Sequence, residues 1–329
     1  MLTPASPTVT RIRHAYIVGA YLSYGGTYMA YHLGRILQLD FGLDVIAVTL
    51  GDERPTNGVF HYDVIFPDIS LATMEERISD HDILVANPSF SNYFFGLRLP
   101  GRKMMYIQDF KTFALLDCNF DHYVSVSGFV AEFVRTVYRF RPPVICAFVD
   151  LDQLPNAEAW HARSAGSVLI HLKGNPTYKE VILKRLRDAV ARRAAGVDLD
   201  EVIGDQLLPQ SDFLARLGTR RHLVCLSPAE GFGLVPLEAM AMGTTVIGFD
   251  AFGGREYMNP GQNCLVTPYP DIEGVAERLV AALDAPAFAE RLAEAGRLTA
   301  LQFGHQRFRA AWHDEFRRFL RADQEPCPT

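Results

Sequence analysis

The stretch Ser227–Gly243, SPAEGFGLVPLEAMAMG, decides the architecture that we expect for this chain. It follows an apolar run at Leu223–Leu226 that predicts a buried strand, and near its start Gly231 and Gly233 are separated by one phenylalanine. Because closely spaced glycines disfavour regular helix, the helix begins after them and runs over about residues 234–242. The sequence therefore predicts a strand, a glycine turn and a helix in this order.

Two glutamates accompany the predicted helix, Glu230 just before it and Glu238 inside it. The first amides of the helix and of the glycine turn have no intrahelical acceptor, and the helix dipole adds positive charge, so an anion can bind there. With Glu230 beside that position, a sugar joined to a diphosphate meets both demands, and Glu238 reaches the ribose of a nucleotide. The alternative is that Glu230 caps the helix while Glu238 faces solvent.

The composition indicates a globular protein with material for two cores: 329 residues, 49% hydrophobic and 21% charged. A formal net charge of −6 argues against nucleic acid as a partner, because neutralising phosphates needs a surplus of Lys and Arg. The five cysteines are scattered without metal-site or redox-pair spacing, which favours a reduced chain. Neither a signal peptide nor a bilayer-spanning apolar run is visible, so we expect a cytoplasmic protein.

Short apolar runs alternate with segments of helical period along the whole chain, which is the signature of parallel sheets wrapped by helices. The predicted fold class is α/β, with two Rossmann-like domains facing a central cleft. Strands are expected at His14–Gly19, Val45–Thr49, Asp63–Phe66, Ile83–Ala86, Met104–Ile107 and His122–Val126, and then at Val168–Leu172, near Val202, and at Leu223–Leu226, Thr245–Gly248 and Cys264–Thr267.

A polar, proline-containing segment separates the two alternating halves. We place an N-terminal domain at residues 1–150, a linker at 151–165 and a C-terminal domain at 166–302. Residues 303–329 form a C-terminal helix and tail. Four large aromatic residues at helical spacing predict that this helix packs back across the hinge: Phe308, Trp312, Phe316 and Phe319.

The 40 residues from Ser227 to Val266 combine the first glutamate, the Gly-Phe-Gly turn, Leu-Glu-Ala-Met-Ala-x-Gly and the run Gly253-Gly-Arg-Glu256. This combination resembles the signature of the retaining GT-B glycosyltransferases, in particular the large family 4 group (glycosyl transferases group 1). The resemblance implies a GT-B fold and transfer of a sugar, with retention and without a metal, from a nucleotide-diphosphate sugar to an acceptor hydroxyl. It names no cofactor beyond that co-substrate, and UDP, GDP, dTDP and ADP stay open.

The resemblance assigns roles to individual residues. Glu230 would bind hydroxyls of the donor sugar and Glu238 the ribose, while the backbone amides of the glycine turn would bind sugar and phosphate. A glycine loop in the N-terminal domain would approach the diphosphate from the opposite side, with a tight turn as the alternative. These backbone positions are Phe232, Gly233 and Leu234 in the turn, and Gly25 and Gly26 in the loop.

Two departures from the family pattern concern charged groups. The family usually has an arginine and a lysine after the first strand of the second domain, whereas this sequence has HLKGNPTYKE at residues 171–180. Asn175 stands at the place of the arginine and Lys179 at that of the lysine, and Lys173 is a substitute cation for the leaving diphosphate. The alternative for each lysine is a solvated surface position.

The second departure lies in the N-terminal domain, where many relatives place a histidine near the reacting sugar. Here the corresponding strand end carries Gln108 and Asp109, and Asn87 follows another predicted strand. We take Asp109 as the candidate that contacts sugar or acceptor, with Gln108 and Asn87 as alternatives. Otherwise Asp109 caps a turn.

The function that we expect is that of a retaining glycosyltransferase of bacterial polysaccharide, lipopolysaccharide or glycoconjugate synthesis. The alternative is a nucleotide-sugar-binding or scaffold subunit of the same fold. An NAD-dependent dehydrogenase would need the motif G-x-G-x-x-G directly after a strand, and neither half of the sequence has it. The acceptor is a sugar or a lipid-linked molecule. Pro88–Lys103 mixes aromatic and cationic residues, which fits contact with the inner face of a membrane or, alternatively, a core helix followed by a polar turn.

Overall fold

Two parallel sheets organise the chain in the computed structural model, which describes residues 12–19, 24–50, 59–60, 62–63, 65–195, 197–203 and 208–321. The first sheet has six strands in the order β3-β2-β1-β4-β5-β6. Strands β2 and β3 lie on one side of β1, and β4, β5 and β6 lie on the other, so the strand order reverses at β1. The strands are β1 His14–Val18, β2 Asp44–Thr49, β3 Asp68–Ser70, β4 Asp82–Ala86, β5 Arg102–Ile107 and β6 His122–Ser125.

The second sheet has five strands in the order β11-β10-β9-β7-β8. Every neighbouring pair in both sheets is parallel. The strand order again reverses at the first strand of the unit, β7. The strands are β7 Ser167–Leu172, β8 Asp198–Ile203, β9 His222–Cys225, β10 Thr245–Phe249 and β11 Leu265–Thr267.

Helices connect the strands, and side-chain caps explain where several of them begin. Ser127 accepts a hydrogen bond from the amide of Val130, and Asn175 accepts one from Tyr178. The helices are α1 Gly25–Phe41, α2 Leu71–Arg77, α3 Phe95–Arg98, α4 Gly128–Tyr138, α5 Pro176–Ala191, α6 Gln210–Thr219, α7 Leu234–Ala241, α8 Ile272–Asp284, α9 Pro286–Ala300 and α10 His305–Arg321.

One local prediction about the first sheet is wrong. The strand expected at Asp63–Phe66 lies instead at Asp68–Ser70, and residue 64 is outside the described residues. Phe66 is buried because it packs against α1, where a Cβ on Gly34 would lie 2.8 Å from its ring. Helix α1, against which Phe66 packs, begins at Gly25 without a side-chain cap.

Part of the predicted linker is packed against the second sheet. Trp160 is buried, and its indole N–H donates to the hydroxyl of Thr245 at 3.2 Å. The buried guanidinium of Arg163 donates to the carbonyls of Arg220 (2.9 Å) and Met242 (2.7 Å). These bonds fix this stretch on the second sheet.

The last helix returns to the first sheet, as its aromatic spacing predicts. Phe308, Trp312, Phe316 and Phe319 are all buried. The crossing point is a backbone hydrogen bond from the Val149 amide to the Phe303 carbonyl, 2.9 Å. Further along α10, the ring of Phe316 lies 4.6 Å from that of Phe41, and Glu315 bonds to His122 at 2.8 Å. Residues 322–329 of the predicted tail lie outside the described residues.

Candidate functional site

A cavity of about 660 Å³ lies between the carboxyl ends of the two sheets. Ligands in open α/β sheets bind beyond the carboxyl ends of the strands, so this is the expected place for a site. Nine of the predicted site residues line it: Gly25, Gly26, Asp109, Lys173, Glu230, Phe232, Gly233, Leu234 and Glu238.

Glu230 is held in the cleft by its own backbone and by an ion pair. Its amide donates to the carbonyl of Ala251 (2.8 Å), and its carbonyl accepts from the amide of Gly253 (3.1 Å). The carboxylate Oε1 lies 3.1 Å from Nζ of Lys173, and 19% of the side chain is exposed. The loop after β10 thus fixes the direction of Glu230, while its carboxylate stays accessible.

The charge of Glu230 follows from its surroundings. Burial raises the pKa of this carboxyl, but the ammonium groups of Lys173 and Lys111 outweigh burial and hold the pKa below its ordinary value. Glu230 is therefore ionised at neutral pH and can accept hydrogen bonds from hydroxyl groups.

The glycine turn before α7 has the geometry that an exposed helix start requires. Gly233 has a φ of +86°, a left-handed conformation that favours glycine, and its carbonyl accepts a hydrogen bond from the hydroxyl of Tyr257. Because α7 begins at Leu234, the first amides of this helix have no intrahelical acceptors, and Gly233 and Leu234 line the cleft. The position predicted for an anion is thus next to Glu230.

Glu238 lies deeper in the cleft and is held by a residue that the sequence analysis did not single out. Its Oε1 accepts a hydrogen bond from Nε2 of Gln210 at 2.9 Å, and both side chains are buried. The backbone amide of Gln210 donates a hydrogen bond to the carbonyl of Val59, 2.7 Å away on the other side of the cleft. Gln210 opens α6 and lacks a recognisable motif, so no sequence signal points to it.

Contacts across the cleft join its two sides around the segment Ala229–Gly231, which contains Glu230. Lys111 Nζ donates to the carbonyl of Ala229 at 2.5 Å, and the hydroxyl of Ser127 donates to the carbonyl of Gly231 at 2.6 Å. A Cβ on Gly231 would lie only 2.0 Å from the carbonyl oxygen of Gln108. The structure is therefore a closed arrangement in which position 231 has no room for a side chain.

A second contact region across the cleft is aromatic and charged. The amide of Gly128 at the start of α4 donates to Oε2 of Glu256 at 2.6 Å. Next to it, Phe252 stacks on Phe129 with ring centroids 5.1 Å apart. The glutamate of the predicted Gly-Gly-Arg-Glu element thus contacts the opposite side of the cleft.

The structure separates the three candidates for the cation that meets the diphosphate. Lys173 lines the cleft, and 47% of its side chain is exposed. Lys179 and Asn175 are absent from the described lining. Lys179 is buried on α5, while Asn175 caps that helix through the Tyr178 amide at 2.8 Å. Of the three, Lys173 alone is brought to Glu230.

Gln108 and Asp109, the candidates at the end of β5 for the place of the family histidine, also line the cleft. Gln108 donates through Nε2 to the carbonyl of Gly26 at 3.0 Å, so it supports the glycine loop. Asp109 accepts from the Lys111 amide at 2.5 Å. Burial raises the pKa of Asp109, and the charge of Glu230 adds to this rise against the effect of Lys111. Asn87 also lines the cleft, and its side chain accepts from the Ser89 amide at 2.9 Å.

The cleft is also lined by a histidine, His171, to which the sequence analysis assigned no role. His171 is the penultimate residue of β7 and is buried. Burial, followed by the charge of Lys173, lowers its pKa to about 3. At neutral pH this ring is neutral and adds no positive charge to the site.

Comparison with known proteins identifies the segment around Glu230. Residues 206–299 match the family model described as "Glycosyl transferases group 1". This match covers the whole predicted motif and most of the second sheet unit. No curated protein matches the chain significantly.

Solved structures extend the comparison to the whole chain. Sucrose-phosphate synthase from Thermosynechococcus elongatus is 14% identical with a TM-score of 0.67, and the alignment covers 94% of this chain and 100% of that one. A glycosyltransferase from Rickettsia africae is also 14% identical, with a TM-score of 0.70 and coverage of 94% and 99%. Anabaena HepE in complex with UDP and glucose is 12% identical, with a TM-score of 0.68 and coverage of 95% and 100%.

Identities this low show the fold and nothing further. These neighbours are GT-B glycosyltransferases, so the predicted α/β fold with two units facing a cleft is confirmed as GT-B. The resemblance to the group 1 glycosyltransferases is confirmed over the matched segment, residues 206–299.

Proposed function

We propose that this chain, a GT-B fold carrying a group 1 glycosyltransferase domain, transfers a sugar from a nucleotide-diphosphate sugar to an acceptor hydroxyl. One observation carries the proposal: the ionised carboxylate of Glu230 lies beside the free amides at the start of α7, with Lys173 3.1 Å away. Hydroxyl groups and a diphosphate are the two ligands that this combination suits.

The donor is placed by the residues on the second sheet. Its sugar hydroxyls donate to Glu230, and its diphosphate oxygens accept from the amides of Gly233 and Leu234. Glu238 accepts from the ribose hydroxyls, because Gln210 holds one of its oxygens at 2.9 Å and thereby fixes the carboxylate plane. The complexes of HepE with UDP and glucose support a nucleotide-sugar co-substrate without deciding the base.

Binding of the donor requires Lys173 to change partner. Lys173 now pairs with Glu230, and the arriving diphosphate offers it a more highly charged partner. The movement leaves Glu230 free for the sugar and places an ammonium next to the bond that breaks. The exposure of Lys173 allows this rotation without disturbing the core.

Transfer with retention is the finer part of the proposal. The bond between the anomeric carbon and the diphosphate oxygen breaks, the acceptor oxygen bonds to the same face, and the acceptor proton passes to the departing phosphate. The protein positions the reactants and stabilises the charge on the phosphate through Lys173 and the helix amides. No metal takes part in this scheme, which is supported by the cations and amides already present.

The acceptor side of the cleft is formed by the first sheet. Asp109 lies there close to Glu230 and is our candidate for contact with the acceptor or the transferred sugar. We assign the reaction to bacterial polysaccharide, lipopolysaccharide or glycoconjugate synthesis at the inner face of the membrane. No helix among the described residues is long and apolar enough to cross a membrane.

A scaffold subunit that binds nucleotide sugar without turnover is the competing function. Its support is that the described cleft residues include neither of the two charged side chains that the family usually supplies at these points, the arginine of the second domain and the histidine of the first. A scaffold would bind the donor equally well and leave it intact. Turnover therefore separates the two functions.

The decisive experiment has two stages. A thermal-shift screen with UDP, GDP, dTDP and ADP identifies the nucleotide, since a ligand that binds the folded state raises Tm. Hydrolysis of the matching nucleotide sugar is then compared between the wild type and Glu230→Ala, and the anomeric configuration of a transferred sugar is read by NMR. Equal background rates in both proteins would contradict the enzymatic proposal, and inversion would contradict retention.

A further inference from the structure

We infer that Lys111, on the acceptor side of the cleft, is a second cation for the departing diphosphate and acts together with Lys173. This inference rests on the proposed function, because it assigns a residue to the same reaction. Lys111 does not belong to the motif that the sequence analysis singled out, and it comes from the opposite sheet unit.

The first argument is position. Lys111 is exposed and lines the cleft, and its Nζ reaches across it to the carbonyl of Ala229, the residue before Glu230. An ammonium has three N–H donors, and this carbonyl takes one of them. The backbone of Lys111 is fixed by the bond from its amide to Asp109, so the side chain starts from a defined point.

The second argument is charge balance. The described lining of the cleft contains four carboxylates, Asp109, Glu230, Glu238 and Asp250, but just two ammonium groups, Lys111 and Lys173. His171 is neutral at physiological pH, and Asp250 pairs with Arg255 at 2.7 Å. A diphosphate entering this lining adds further negative charge. Like charges repel more strongly inside a partly water-excluded cleft than in bulk water, so uncompensated repulsion would oppose binding.

One lysine alone leaves that balance incomplete. Lys173 shares its charge with Glu230 at 3.1 Å, and Asn175, at the place of the family arginine, is neutral and caps α5. Lys179 is buried outside the described lining. Lys111 is thus the remaining lysine of the described lining, and it too lowers the pKa of Glu230.

The arrangement couples charge stabilisation to domain closure. Lys173 belongs to the second sheet unit, and Lys111 of the first unit contacts Ala229, next to Glu230, when the two units are as close as they are here. An open cleft would hold the donor with one cation and would keep the second away. Water that enters an open cleft would then meet a donor whose leaving group is incompletely stabilised.

Three substitutions separate the charge of Lys111 from its contact with Ala229. Lys111→Gln keeps an N–H donor for the carbonyl but removes the charge, Lys111→Met removes both, and Lys111→Arg keeps both. Lys184→Ala is the matched control, because Lys184 is an exposed lysine paired with Asp188 on α5. The probe is the diphosphate among UDP, GDP, dTDP and ADP that most raises the Tm of the wild type, compared with its nucleoside.

Calorimetric titration measures the affinity of each protein for the diphosphate and for the nucleoside. We expect Lys111→Gln and Lys111→Met to bind the diphosphate about tenfold more weakly and the nucleoside unchanged, since a charge-assisted phosphate contact is lost. Lys111→Arg should retain at least most of the affinity, and Lys184→Ala all of it. The kcat for transfer should fall in the Gln and Met variants even at saturating donor.

The outcomes distinguish the inference from the function on which it rests. Wild-type affinity and kcat in Lys111→Gln would overturn the inference while leaving the proposed function intact. Equal loss of nucleoside and diphosphate affinity would overturn it as well, because the residue would then act through closure alone. A wild type that binds none of the four diphosphates would end the proposed function, and the inference with it.

Discussion

Nζ of Lys173 lies 3.1 Å from Oε1 of Glu230, so the cation proposed for the diphosphate and the carboxylate proposed for the sugar are paired with each other. In the proposed complex, each of the two groups would contact a part of the donor instead. The ion pair keeps Glu230 ionised, and it keeps a lysine at hand whose long side chain can turn toward the phosphate. The pair is therefore an arrangement that the donor has to separate.

This pairing predicts opposite effects on binding and turnover. Glu230→Gln releases Lys173 for the phosphate, so the affinity for a nucleoside diphosphate should rise by about threefold, in line with the modest free energy of partly exposed ion pairs. The kcat/KM for transfer should fall by about 10²-fold, because a contact to the reacting sugar is lost. Calorimetry and steady-state kinetics measure the two effects.

Lys173→Met is the control for that prediction, since it should weaken diphosphate binding and turnover together. Weaker diphosphate binding by Glu230→Gln would show that the carboxylate and the cation do not compete.

Gly231→Ala should abolish turnover in a folded protein. The added Cβ would lie 2.0 Å from the backbone oxygen of Gln108 across the cleft, and a backbone atom cannot move aside as a side chain can. We expect Tm to change little and kcat/KM to fall at least about 10²-fold, which would leave turnover close to background, because misplacing catalytic groups by 1 Å has effects of this size.

Gly261→Ala is the matched control for position 231. A Cβ there meets open space, and its φ of +79° costs about 1 kcal/mol of stability without touching the cleft. Its kcat/KM should equal that of the wild type. Full activity in Gly231→Ala would mean that turnover does not need the closed arrangement.

Two buried histidines predict how stability depends on pH. Burial lowers the pKa of His171 to about 3 and that of His222 to about 4, against 6.5 for an unperturbed ring. Between pH 6.5 and about 4 the unfolded chain binds more protons than the folded one. The contribution of these histidines to the free energy of unfolding is therefore fully present above pH 6.5 and decreases as the pH is lowered below 6.5. The slope is about 1.4 kcal/mol per pH unit for each histidine.

Urea unfolding at a series of pH values measures this dependence. His222→Phe keeps a ring beside Trp160 and removes one titrating group, so the slope should fall by about 1.4 kcal/mol per pH unit. The control His81→Gln changes an exposed histidine and should leave the slope unchanged. A slope that His222→Phe does not alter would contradict the assignment.

Contact with a membrane surface is predicted at one exposed apolar group on the first sheet unit. Phe90 and Phe95 are buried and belong to the core, whereas Phe94 and Leu97 are 51% and 70% exposed. The neighbouring residues Pro88–Phe90 line the cleft, so a lipid-linked acceptor bound to this group would lie near its entrance.

Sedimentation with phosphatidylglycerol-containing vesicles tests this contact. The double variant Phe94→Ser, Leu97→Ser should lose at least half of the bound fraction, because apolar burial at the interface contributes to binding. Leu298→Ser, an exposed leucine on α9, is the control and should bind as the wild type. Equal binding of all three proteins would contradict membrane contact at this position.

The motif at Ser227–Gly243 allowed the fold and one half of the site to be predicted, because glycines, a proline and glutamates at fixed spacing act locally. The opposite half depends on contacts between residues far apart in sequence. The bond of Lys111 to Ala229 spans 118 positions and that of Ser127 to Gly231 spans 104. No pattern within a short window indicates such pairs.

The misplaced strand and the lysine outside the described lining have similar causes. Phe66 was assigned to a strand because it is apolar, yet it is buried because it packs against α1. Lys179 matched a family position by count along the chain, but α5 turns it into the interior, where it is 7% exposed. Spacing predicts which face of a helix a residue occupies only once the start of the helix is known, and Asn175 sets that start.

The hydrogen bond between Val149 and Phe303 marks where the chain leaves the first sheet and where it comes back. The side of the molecule that would hold the acceptor is consequently made from two distant pieces of sequence, the second being the aromatic face of α10. A fragment ending at residue 150 would expose the surface that Trp312 and Phe316 cover, and it would be expected to aggregate. Inheritance or exchange of the acceptor side as a working unit therefore has to include α10 as well as the first sheet.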